Sequence, residues 1–137
     1  MKRTASAHWE GDLKTGKGNL STQSTTLNKT QYSFNTRFAD GVGTNPEELL
    51  AAAHAGCFTM EVSASLTKAG FKATSLDTVA TITLEDLTVT GIHLTITGKI
   101  PDITAAKFFE ITKGSEKNCI ISRALSVPIS SEAALLN

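Results

Sequence analysis

Hydrophobic and polar residues alternate from the start of the chain. Ala5, Ala7 and Trp9 are interleaved with Ser6, His8 and Glu10, a period of two that predicts a strand. Gly11 to Gly18 supplies turn chemistry. Leu20 to Thr26 is expected to return as a second strand and Gln31 to Phe38 as a third, with Tyr32, Phe34 and Phe38 on alternate positions. Asp40-Gly41-Val42-Gly43 then reads as a loop.

The period changes at Asn45. Asn45-Pro46-Glu47-Glu48 combines a cap residue, a proline at the first helical position, and acids facing the positive end of a helix dipole. Thr44 with Glu47 offers a capping box one residue earlier, so the boundary stays open by one. The alanine-rich helix is expected to run to Lys68, with Gly70 as its stop. Leu49 to Met60 is almost entirely small or apolar, so the helix lacks an ordinary solvent face and is expected to be buried on most sides. In a chain this short, such burial points to a partner chain.

Strand patterning resumes from Leu76 to Ile100. Leu76, Ala80, Ile82 and Leu84 share one parity, Glu85-Asp86 marks a turn, and Ile92, Leu94, Ile96 and Ile100 share a parity on the return. Val89 is out of phase, and Gly91 sits where a bulge would repair the phase. Asp102 is expected to cap a second helix reaching about Lys113, with its apolar residues spread around the axis. Cys119 to Leu125 suits a short helix and Val127 to Leu135 a final strand. The order β-β-β-α-β-β-α-α-β predicts an α+β fold with mainly antiparallel pairing, in one domain spanning residues 1–137.

Composition narrows the function classes. The 137 residues carry 13 basic and 13 acidic side chains, a balance that leaves no general electrostatic footprint for nucleic acid or anionic lipid. The N-terminal residues include Lys2 and Arg3 but no apolar stretch behind them, so no signal peptide is expected. The apolar run Leu49 to Met60 is interrupted by His54 and falls short of a membrane span. A cytoplasmic protein with no membrane or nucleic-acid partner is therefore expected. Two cysteines are too few for a disulfide-dense secreted scaffold.

Those cysteines are the main chemical candidates. By helix position alone Cys57 reads as a small buried hydrophobe. Cys119 stands at the start of a short helix, where the dipole favours a thiolate. The 62 positions between them do not establish that they meet. Glu47, Leu50, His54, Cys57 and Glu61 form one stripe at helical spacing. A metal site built from His54, Cys57 and Cys119 lacks a second ligand pair at usual zinc spacing, so no metal and no cofactor is expected. His8 and His93 fit strand patterns. Walker, dinucleotide-glycine and Gly-x-Ser-x-Gly motifs are absent.

The stretches His8-Trp9-Glu10-Gly11, Phe34-Asn35-Thr36-Arg37-Phe38 and, above all, Thr44-Asn45-Pro46-Glu47-Glu48 continuing through His54-Ala55-Gly56-Cys57-Phe58 carry a resemblance. They are similar to the osmotically inducible protein C branch of the family that also contains the organic hydroperoxide resistance proteins. The resemblance runs through nearly the whole chain. It implies antiparallel sheets wrapped around long central helices in an intertwined homodimer, and a thiol peroxidase that reduces organic hydroperoxides in stress defence. It implies further that Cys57 is the peroxidatic cysteine and Cys119 the resolving one. Arg37 and Glu47 would hold the thiolate and orient the peroxide, and an external thiol or lipoyl-type reductant would regenerate the enzyme.

Two departures accompany the resemblance. The family usually has proline after its second cysteine, where this chain has Ile120. Glu61 stands one turn beyond Cys57, where a carboxylate opposes thiolate formation unless it is paired or turned away. Glu47 and Cys57 lie ten residues apart on one helix, roughly 15 Å along the axis. No side chain closes that gap, so Glu47 is expected to serve the Cys57 of the other subunit. The enzyme-free alternative is a dimeric ligand-binding or redox-sensing stress protein of the same fold.

Overall fold

Three strands open the chain: β1 (Ala5–Glu10), β2 (Lys17–Thr22) and β3 (Thr30–Tyr32), antiparallel in that order. The computed structural model describes residues 1–137, in two compact units, residues 1–49 and 50–137. In the first unit Gly18 opposes both Trp9 and Tyr32 across the ladder. A Cβ on Gly18 would stand 2.5 Å from either ring, so glycine is what lets the two aromatics close to 5.4 Å between centroids.

The third strand is shorter than its hydrophobic alternation predicts. It ends at Tyr32, and Phe34–Phe38 form a short helix, α1. Ser33 caps it: its hydroxyl accepts from the Thr36 amide, while Thr36 Oγ1 accepts from the Ser33 amide at 2.8 Å. The second strand likewise starts earlier and ends earlier than expected, because Gln23 to Lys29 turn back toward β3.

Helix α2 spans Pro46–Lys68. Asn45 is its cap, accepting from the Glu48 amide at 2.8 Å, and the alternative box from Thr44 to Glu47 does not form. Thr44 instead donates to the Glu48 carboxylate. Gly70, at φ +88°, stops the helix. By length and composition α2 suffices to cross a membrane, which the shorter run Leu49 to Met60 understates. Its composition predicts burial on most sides, but within one chain it is buried along one stripe only. His54, Phe58, Val62 and Leu66 are buried, whereas Ala52, Ala53, Gly56 and Met60 are exposed. Four-residue steps bring only one stripe of the helix inward.

The second unit contains a sheet ordered β4-β5-β6, formed by β4 (Ser75–Glu85), β5 (Thr88–Lys99) and β6 (Ile129–Leu135). The hairpin turns at Asp86 and Leu87, both in left-handed conformation. The pairing shifts between Thr83 and Leu84, a bulge that places Thr90 opposite no residue beside Gly91, as the phase break predicts. The last strand departs from the antiparallel expectation: β6 runs parallel to β5. The intervening helices α3 (Ala105–Asn118) and α4 (Ile120–Ala124) supply the long crossover that parallel pairing requires.

Thr104, not Asp102, caps α3, accepting from the Lys107 amide at 3.1 Å; Asp102 lies in the preceding turn at φ +63°. The helix is one-sided, burying Phe108, Ile111, Thr112 and Ser115 while Phe109 faces solvent. Phe58, Val62 and Leu66 of α2 join Leu94 and Ile96 of β5 and Phe108 of α3 in one core. A Cβ at Gly98 would lie 2.9 Å from the Phe108 ring, so that position must stay bare for α3 to pack so closely.

Candidate functional site

The residues expected to carry chemistry form two pairs. The first joins Arg37, in the last turn of α1, to Glu47, in the first turn of α2. Asn45 sets their spacing: besides capping α2, its Nδ2 donates to the Thr36 carbonyl at 3.0 Å. Arg37 Nε and Nη2 both donate to Glu47 Oε1, at 2.9 and 2.7 Å. The other carboxylate oxygen, Oε2, is buried without a partner. The guanidinium also stands 5.1 Å from the Phe38 ring centroid. Orientation is thus fixed by a carboxylate on one side and an aromatic face on the other.

Beside this pair lies a groove of about 250 Å³ lined by Trp9, Leu13, Tyr32, Phe34, Arg37 and Phe38 among others. Its wall is overwhelmingly apolar, with the guanidinium as its one charged member. Such a surface suits a small molecule with a hydrocarbon body and one polar end.

The second pair is Cys57 and Cys119, which the fold brings close enough for Cys57 to act on the Cys119 thiol despite their separation in sequence. Cys57 is half-buried on α2, next to the inward stripe. Cys119 is fully buried between α3 and α4: its amide donates to the Ser115 carbonyl, and its own carbonyl accepts from the Arg123 amide. Both cysteines are free thiols. The dipole argument alone predicts a more acidic Cys119. Burial pushes its thiol up instead, and contact with Cys57 adds to that rise. The Ser122 amide and hydroxyl and the Ile121 amide act in the opposite direction without overcoming burial.

His54 and Ser122 complete this cluster. His54 is fully buried, and its Nε2 lies 2.8 Å from Ser122 Oγ, while Nδ1 has no partner. Burial lowers the His54 pKa, so the ring is neutral at pH 7. Sequence reasoning passed over Ser122; its position three residues after Cys119, one turn into a short helix, was the available signal. Glu61 is paired and turned toward the following turn, accepting from Ser65 at 3.2 Å. His93, on the sheet, contacts Ser130 and Glu132.

Comparison with known proteins agrees with this architecture. The OsmC-like protein family matches residues 39–132. The chain is 44% identical over 133 residues to the peroxiredoxin OsmC of Escherichia coli, covering 94% of this chain and 93% of that protein. The peroxiredoxin OsmC of Shigella flexneri matches to the same extent. Among solved structures, an OsmC-like protein from Mycoplasma pneumoniae superposes with a TM-score of 0.79 at 13% identity, over 100% of this chain and 99% of that one. The organic hydroperoxide resistance protein OhrB of Bacillus subtilis gives 0.67 at 20% identity, covering 96% and 97%. These two likenesses concern the fold.

The geometry around Cys119 and His54 makes two effects on stability measurable. The Cys119 backbone, at φ −53° and ψ 128°, already has the extended conformation a residue before proline requires, and Ile120 is the exposed first residue of α4. Ile120→Pro is therefore expected to stabilise the protein by about 0.5 kcal/mol, read from the urea midpoint; a clear loss of stability would contradict that backbone. His54 binds its proton more weakly folded than unfolded. Its contribution to stability is complete above about pH 6.5 and is lost as pH falls below it toward the lowered folded value. Urea midpoints across pH 5 to 8 should show this decline in the native protein and a reduced one in His54→Gln.

Proposed function

The chain belongs to the OsmC-like protein family, and on that premise we propose that it is a thiol peroxidase acting on organic hydroperoxides. The observation that carries the reading is the meeting of two free thiols, one half-buried and reachable, the other fully buried behind it. Cys57 is the nucleophile. Its thiolate attacks the outer peroxide oxygen, the O–O bond breaks, and the products are a Cys57 sulfenic acid and an alcohol, or water from hydrogen peroxide. Cys119 then attacks the Cys57 sulfur; a disulfide forms and the hydroxyl leaves as water. A dithiol of the lipoyl type or a small thiol returns both cysteines to the reduced state, in the cytoplasm.

Arg37 supplies positive charge and hydrogen-bond donors to the thiolate and the peroxide, and Glu47 fixes its fork. The apolar groove beside Arg37 suits the hydrocarbon part of an organic hydroperoxide. Because Glu47 precedes Cys57 by ten residues on α2, the working site combines Arg37 and Glu47 of one subunit with Cys57 of the other in a homodimer. The uncovered small and apolar residues of α2, Ala52, Ala53, Gly56 and Met60, support an assembly in which a second chain covers them.

Consumption of cumene hydroperoxide with a dithiol reductant tests the chemistry. Cys57→Ser is expected to abolish turnover, whereas Cys119→Ser completes one fast turnover and then over-oxidises at Cys57; full activity in Cys57→Ser would refute the assignment. Hydrogen peroxide, run alongside, should be the poorer substrate. Subunit complementation tests the composite site. Co-expressed Glu47→Ala and Cys57→Ser chains are expected to regain about a quarter of native activity, since half the dimers are mixed and each holds one intact site. No recovery from demonstrably mixed dimers would place Glu47 and Cys57 in sites within single subunits.

A further inference from the structure

His93, Ser130 and Glu132, on the outer face of the second sheet, stand apart from the peroxide chemistry and form a connected set. Their meeting follows from the register. Strand β6 pairs in parallel with β5, so Ser130 lies beside His93, and Glu132, two residues on, returns to the same face. Ser131 between them is buried, which turns its two neighbours outward. His93 Nδ1 lies 2.7 Å from Ser130 Oγ, and Nε2 lies 2.9 Å from Glu132 Oε1.

The chemistry of the groups sets the direction of these bonds. A carboxylate only accepts, so Nε2 of the neutral ring carries the hydrogen and donates it to Glu132. Nδ1 keeps its lone pair, and Ser130 Oγ–H donates to it. The order is hydroxyl, imidazole, carboxylate: a nucleophile beside a base, with the base held in one tautomer by an acid.

A seat and an oxyanion donor lie next to this set. A groove of about 230 Å³ opens beside Ser130 and His93, with Thr83, Gly91, Ile92, Pro128 and Ile129 as its other walls, enough for a short acyl or aryl group. Strand β6 is also the edge of its sheet. The Ile92 amide donates to the Pro128 carbonyl at 3.0 Å, and the alternation of a parallel ladder then turns the Ser131 backbone away from β5. The Ser131 carbonyl accepts from Lys113 Nζ instead, at 2.8 Å. The Ser131 amide shares that side, outside the ladder, and the amide after the nucleophile is where acyl-transfer sites find a donor for the oxyanion.

We propose that these residues form a second reactive site, at which Ser130 takes an acyl group from small activated esters and water releases it. Ser130 and His93 are its catalytic residues, and Glu132 is a positioning residue. Ser130 Oγ attacks the ester carbonyl carbon while the hydroxyl proton passes to His93 Nδ1. The bond from that carbon to the leaving oxygen breaks, and His93 returns the proton to the departing alcohol. Water, deprotonated by His93 in the same way, cleaves the Ser130 ester, giving a carboxylic acid and free serine. No electrons change hands, so neither peroxide nor reductant takes part. The Glu132 side chain is 70% exposed and that of His93 39%, so water screens the relay and substrates with a good leaving group are favoured.

Cys57→Ser protein serves for the test, because it lacks the reachable thiol, itself open to acylation, and its remaining thiol is fully buried. With p-nitrophenyl acetate, nitrophenolate is expected to form above the buffer rate, and peptide mapping by mass spectrometry to find an acetyl group on Ser130. Adding Ser130→Ala should remove that acetyl group, and adding His93→Gln should slow nitrophenolate release about a hundredfold, the low end for a positioned base. Glu132→Leu should lower kcat and leave KM unchanged. Glu132→Gln, which keeps an acceptor for Nε2–H, should recover part of the loss; a role confined to holding β6 in register would not divide the two parameters in this way. Undiminished nitrophenolate release by folded Ser130→Ala protein, or acetyl groups on lysines and His93 with none on Ser130, would overturn the site. The peroxidase reading rests on the thiols and is decided separately.

Discussion

The burial of one stripe of α2 is the constraint on which the second unit depends. His54, Phe58, Val62 and Leu66 repeat every four residues and all four are fully buried. Three are apolar and share a core with β5 and α3. Removing any of them would cost about 2 to 5 kcal/mol, a large share of what a chain of this size has available. The fourth is a histidine, tolerated there because Ser122 meets one ring nitrogen and burial keeps the ring neutral. The same stripe fixes where Cys57 stands. It follows His54 by three residues and precedes Phe58, so it lies at the margin of the core, in contact with both core and surroundings.

Two opposing effects meet at Cys119. The start of a helix and nearby amides favour a thiolate, while complete burial opposes one. Burial is the larger effect, so the thiol's pKa is raised. In the proposed reaction that restraint suits a resolving thiol, which is not itself the group that meets peroxide. At the other pair, Arg37 and Glu47, the electrostatics are simpler. A partly exposed guanidinium is clamped by a more buried carboxylate, and its orientation follows from the Asn45 bonds that tie the end of α1 to the start of α2.

Much of this was legible in the sequence, and the failures have local causes. The start and stop of α2, the bulge at Thr90 and Gly91, and the short helix after Cys119 follow from cap chemistry and hydrophobic phase. Helix α1 was hidden because Phe34 and Phe38 are four residues apart, a spacing shared by strand parity and helical repeat; their rings meet at 5.0 Å on the helix. The Ser33 and Thr36 box was the local signal for helix, and it lacks the usual acidic partner. The parallel register of β6 depends on packing by α3, which no local pattern encodes. Neither does spacing reveal that two thiols meet across the core. The family resemblance supplied that pairing as an expectation, and the folded chain brings the thiols together.

The central claim is that Cys57 and Cys119 work as a redox couple within one chain. Its most direct test is peptide mapping by mass spectrometry after one equivalent of an organic hydroperoxide is added to fully reduced protein. The account predicts a Cys57–Cys119 disulfide within a single chain, formed in seconds and reversed by a dithiol. Thiols left unchanged after prolonged exposure, or a disulfide joining two chains instead, would contradict it.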